Sequence, residues 1–224
     1  MEGPESGKRN TRAGIFSFGR RCKAKEAGMT LIDPELHIGS GRMRDCYIHP
    51  DRPDRIIKIQ RADCPEHLDP KRAEWNHWQD IRDRHGELPM ISACCGMVET
   101  SLGQGLVMAC IRDADGSLSS PLSSVFEEPE AWDLSEVRLK VELFLAFIVW
   151  RNIRLFDLNP GNILLRKDEQ QTVRPVAIDL KGPFDNHETL PISSWFPWFS
   201  RRKLIRRSKR LLDLIDEKAF KKAA

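Results

Sequence analysis

The chain has 224 residues and no C-x-x-C pair among its six cysteines, no H-E-x-x-H and no histidine cluster. A metal centre built on Cys and His is therefore not expected. Residues 1–28 lack the apolar core of a secretory signal. Uncharged stretches such as 143–150 and 189–200 are too short to span a bilayer. The vicinal pair Cys94–Cys95 has neither zinc spacing nor the usual spacing of a bridge, so the cysteines read as reduced thiols of a cytoplasmic protein. With 40% hydrophobic and 31% charged residues the chain can bury a core, which excludes a disordered tail or a simple repeat array.

The net charge of +3 conceals a split. Residues 1–28 are net +4, residues 196–224 net +7, and the segment between them net −8. Basic ends on an acidic middle argue against a nucleic-acid groove through the body of the protein. Residues 1–28, basic and without periodicity, read as a flexible arm, and Met29, a candidate translation start, opens the first patterned stretch.

Short strands are expected at 35–39 and 44–49 around the Gly39-Ser40-Gly41 turn. Arg55–Gln60 (RIIKIQ) reads as a buried strand with Lys58 among isoleucines. A helix is predicted over 70–85, with Pro70 in its first turn and Gly86 as its stop, and it carries Glu74. Strands 96–100 and 105–111 form a hairpin. Residues 113–129 read as a linker rich in Ser, Gly and acids. A helix over 135–151, capped by Asp133 or Ser135, is expected to be wholly buried, because LFLAFIVW is apolar all round. The strands ILLRK and VAIDL (176–180) follow, and an amphipathic helix over about 200–220 closes the chain.

The chemistry concentrates in DLNPGNILL. Asp157 and Asn162, five apart across a Pro-Gly turn, can aim a carboxylate and a carboxamide at one place. The first suits a proton acceptor and the second a ligand for a hard cation. Asp179, at the end of the strand AID, is a natural Mg²⁺ ligand. Either group alone would be an ordinary turn former. The string D-L-x-P-x-N-I-L-L, followed after about twenty residues by apolar-Asp-apolar, is far more specific.

These motifs resemble the protein-kinase-like superfamily: DLNPGNILL is similar to its catalytic loop and IDLKG to its metal-binding segment. Lys58 matches the lysine of the third strand, Glu74 that lysine's ion-pair partner, and Gly39 and Gly41 the start of the glycine-rich loop. The order holds over residues 36–182, and residues 29–215 resemble the small bacterial YrbL family, named for a PhoP regulatory network. The resemblance implies an α+β, two-lobed kinase-like fold. Its N-lobe (29–112) would be a small antiparallel sheet with one helix, its C-lobe (113–189) short and mainly helical, and 190–224 a separate C-terminal helix. It also implies ATP between the lobes, with Lys58 on the α/β-phosphates, Gly39 and Gly41 over them and Met108 as a wall of the adenine pocket. Mg²⁺ would be held by Asn162 and Asp179, with Asp157 as base.

Departures from the pattern shape the functional expectation. Arg44 stands where the third glycine of G-x-G-x-x-G is usual, Leu155 and Phe156 replace the His-Arg pair, and Leu180-Lys181 follows Asp179. With no A-P-E segment and 45 residues after Asp179, a small molecule or envelope component is a better acceptor than a protein. The favoured reading is an active ATP/Mg²⁺-dependent phosphotransferase, and the alternative is a pseudokinase working as a nucleotide-binding regulatory module. The aromatic and basic tail has two readings: packing on the helical lobe, which is favoured, or a peripheral contact of 195–215 with the inner-membrane surface.

Overall fold

The computed structural model describes residues 28–65, 68–155, 157–180 and 197–223. Residues 1–27 of the arm expected over 1–28, Phe156, Lys181 and the aromatic residues Trp195 and Phe196 lie outside them. The described chain is α+β, with two antiparallel sheets and four helices.

The first sheet contains β1 (His37–Ser40), β2 (Arg44–His49), β3 (Arg52–Gln60), β4 (Cys94–Thr100) and β5 (Gly103–Ala109), in the order β1-β2-β3-β5-β4. β3 is central, and its alternation explains why a lysine is tolerated there. Ile57 and Ile59 point to one face and pack with Val98 and Val107. Ile56 and Lys58 point to the other, which is covered by α1 (Pro70–His85). Pro53 falls at the start of β3, before pairing with β5 begins at Arg55, so no ladder bond is lost. Gly105 of β5 sits where a Cβ would come within 2.4 Å of Ile57 Cγ2, so any side chain there would force Ile57 to shift.

α1 starts on Asp69, which accepts from the Arg72 amide, with Pro70 in the first turn, and it stops at Gly86 with φ +76°. Trp75 and Trp78 pack together against Leu106 and Met108 as core.

A larger apolar cluster gathers around α3 (Leu134–Trp150), β7 (Ile163–Lys167), β8 (Val173–Ala177) and α4 (Pro197–Ala223), and Ile81 of α1 and Ile91 belong to it. Asp133, not Ser135, is the cap of α3, accepting from the amides of Ser135 and Glu136. Only one side of α3 is buried. Phe144, Leu145 and Ile148 face the core, while Leu143 is 57% and Trp150 71% exposed, which corrects the expectation of a wholly buried helix. Residues 113–129 are not a bare linker either: they supply β6 (Ser120–Pro121), paired to β7, and α2 (Ser124–Glu127), with Leu122 and Val125 fully buried. β8 ends at Ala177, two residues before Asp179, so the predicted strand 176–180 lies too far along the chain.

Backbone bonds join the halves. The Ser92 amide donates to Ala177 O at 2.8 Å and the Ala177 amide to Met90 O at 2.9 Å. The buried His77 of α1 bonds the Arg154 carbonyl through Nε2 at 2.6 Å. Cys46, Cys64, Cys94 and Cys110 are free thiols, whereas Cys95 is disulfide-bonded, a departure from the all-reduced reading.

Candidate functional site

The β2–β3 register sets Cys46 opposite Lys58 and Arg44 opposite Gln60, so Arg44, Cys46 and Lys58 share the face covered by α1. One turn into α1, Glu74 points back at them. Lys58, 5% exposed, donates through Nζ to Glu74 Oε1 at 2.9 Å and Oε2 at 3.2 Å. The same ammonium reaches the second half of the molecule, donating to Ile178 O at 3.1 Å and standing 3.6 Å from Asp179 Oδ1. Glu74, 1% exposed, also accepts from the Leu180 amide at 3.2 Å. Arg44 completes the cluster: Nη1 donates to Glu74 Oε2, and Nη2 to Asp179 Oδ1 at 2.9 Å.

Two cations and two carboxylates thus meet with charges balanced. Burial alone would raise the Glu74 carboxyl, but Lys58, Arg44 and the Leu180 amide outweigh it and hold the group well below the usual carboxylate range. Burial likewise opposes the charges of Lys58 and Arg44, and the facing carboxylates, Glu74 foremost, more than restore them. The Cys46 thiol is pushed up by burial against the pull of Lys58 and Arg44, so it stays protonated beside the cluster.

Lys58, Glu74 and Asp179 are therefore brought together. Asn162 ends a 3-10 turn (Pro160–Asn162), and its carbonyl accepts from the Ile178 amide at 3.1 Å, which sets it beside the segment carrying Asp179. Asp157 stands half-buried on the loop entering that turn, anchored by the buried Leu158. Gly39 and Gly41 lie in the β1–β2 hairpin, where the Gly41 amide donates to Arg44 O at 2.7 Å. Met108 is fully buried with Cys94 and Leu106, in the role of core.

Arg44 is the residue that sequence reasoning undervalued. It stood out only as a missing glycine, because its place facing the cluster is set by the β2–β3 register.

Among the described residues, no group of three His, Cys, Asp or Glu could hold a metal ion. The oxygen donors of Asn162 and Asp179 still fit Mg²⁺ in kind, since this ion takes one or two carboxylates and completes its shell with water and phosphate. In the present arrangement Asp179 Oδ1 is engaged by Arg44.

The tail uses its apolar side internally. Leu204, Leu211 and Ile215 of α4 are buried in the second core, and Arg138 of α3 bonds Asp216 at 2.6 Å. Arg201, Arg202, Arg206, Lys209 and Arg210 face outward. Among the described residues, no helix is long and apolar enough to cross a membrane.

The fold and cluster define an α+β protein whose two halves are tied by a buried charge network. The family model described as PhoP regulatory network protein YrbL matches residues 30–215, and the chain belongs to that family. It is 29% identical over 187 residues to "Uncharacterized protein YrbL" of Escherichia coli (strain K12), covering 82% of this chain and 87% of the relative. The protein of the same name from Shigella flexneri matches to the same extent.

Proposed function

We propose that the protein is a compact kinase-like phosphotransferase using ATP and Mg²⁺, with a small molecule or envelope component as acceptor. In this reading the two halves are the two lobes of a kinase-like fold. Residues 29–112 bind nucleotide and the segment from 113 carries the catalytic loop. The supporting observation is the buried Lys58–Glu74 pair, 2.9 Å apart, held against the Ile178–Leu180 backbone that presents Asp179.

Lys58, steadied by Glu74, meets the α/β-phosphates, and Gly39 and Gly41 allow the hairpin backbone to approach them. Asn162 and Asp179 supply the oxygen ligands for Mg²⁺, which when bound neutralises charge on the phosphates. Asp157 takes the proton of the acceptor hydroxyl. Most of the rate would come from positioning and charge neutralisation.

The test is single-turnover transfer from γ-labelled ATP into envelope extracts. Loss of a general base costs roughly 10²–10⁴-fold, so D157N should fall by at least about 100-fold. Turnover unchanged in D157N would overturn the assignment.

A second reading, a regulatory module that binds nucleotide without turnover, is favoured by the hold of Arg44 on Asp179 and by the family's description as a regulatory-network protein. It predicts thermal stabilisation by ATP with Mg²⁺ and no transfer to any fraction of the extract.

A further inference from the structure

The geometry points to Arg44 as a built-in cation that clamps the glycine hairpin and competes with a divalent metal ion for Asp179. The inference rests on the metal-dependent reading above and deepens it.

Arg44 opens β2, and its carbonyl closes the hairpin turn by accepting from the Gly41 amide. Its side chain is 11% exposed and runs inward, forking between a carboxylate of α1 and one of the 178–180 segment. One side chain therefore ties the hairpin, the helix and the second half of the molecule together. A planar guanidinium suits this task, because it presents two parallel donors at fixed spacing.

Charge balance shows why the contact matters. Glu74 is satisfied by Lys58 through both oxygens. Asp179 stands 2.9 Å from Arg44 and 3.6 Å from Lys58, so of these two cations Arg44 is the nearer. With Arg44 in place the four charges cancel. A divalent ion on Asp179 Oδ1 would share that oxygen with a guanidinium and add two positive charges to a cluster whose own charges cancel. An ion on Asp179 Oδ1 displaces Arg44 from that oxygen, which removes the hairpin's side-chain tie to the 178–180 segment and leaves its tie to Glu74. A glycine at this position would leave Asp179 Oδ1 open to metal at once, whereas arginine makes metal loading and the loss of this hairpin contact a single event.

The experiment uses the full chain and Mn²⁺ as the probe, with free ion followed by electron paramagnetic resonance and the amides of 37–46 by hydrogen exchange. R44Q should bind Mn²⁺ at least tenfold more tightly than wild type, and its hairpin amides should exchange about tenfold faster. R44K, whose ammonium cannot fork, should shift both readouts in the same direction by less, and it carries the test should R44Q fail to fold. Equal Mn²⁺ affinity in wild type and a folded variant, or unchanged hairpin exchange, would overturn the role given to Arg44 while leaving the phosphotransfer reading intact. Absence of Mn²⁺ binding to both proteins with ATP present would instead sink the metal-dependent reading, and the competition with it.

Discussion

Replacing Glu74 by glutamine keeps the shape of the side chain, and an amide oxygen for the Leu180 N–H, but removes the charge that two buried cations share. Breaking a buried ion pair from one side costs about 3–5 kcal/mol, because the other charge stays buried without its counterpart. Asp179, 2.9 Å from Arg44 and 3.6 Å from Lys58, offsets part of that loss. The lower end, about 3 kcal/mol, is therefore expected. At about 2–4 °C per kcal/mol for a chain of this size, Tm should fall by about 6–12 °C. The folded Glu74 carboxyl is depressed from 4.5 to about 2. Its stabilising contribution is complete above the unfolded value and is lost as pH falls through the folded one. The gap between wild type and E74Q, measured by urea unfolding, should therefore be full at pH 7 and narrow below about pH 4.5. In a cycle of K58M, E74M and the double variant, the double loss should be smaller than the sum of the singles by about 2 kcal/mol. A Tm within about 2 °C of wild type for E74Q, or a gap that widens in acid, would refute the buried-network account.

Five further variants probe the frame around the site. G105A forces a methyl onto Ile57, and overpacking of that kind should cost about 1–3 kcal/mol in urea unfolding. L211A removes a side chain from the second core and should cost about 2–5 kcal/mol, whereas I205A, on the exposed side of α4, should stay within about 0.5 kcal/mol. On α3, F144A should cost about 3–5 kcal/mol and L143S, one residue away, almost nothing in thermal unfolding; equal losses would contradict the orientation of the helix.

Local chemistry written in the sequence came through well where one residue type has one physical use. Pro70 and Gly86 delimit α1, because a fixed φ and a positive φ cannot be supplied by many alternatives; the β4–β5 hairpin was legible as well, although β5 begins at Gly103, two residues before the expected strand 105–111, and ends at Ala109. What failed to read was anything decided by a partner far along the chain. LFLAFIVW is apolar all round, but which side is buried depends on where β8 and α4 lie, and neither is encoded in the helix itself. The segment 113–129 looks like a linker because Ser120 and Pro121 become a strand only when β7 pairs with them. Arg44 belongs to the same class. By composition it is one of many surface-type cations in this chain. It becomes an internal one because Glu74, thirty residues away, and Asp179, 135 residues away, arrive on the same face of β2. The physical consequence is that the two halves are coupled through charge as well as through apolar contact. An event that shifts the charge on Asp179 must be felt at the hairpin, since a single guanidinium answers to both.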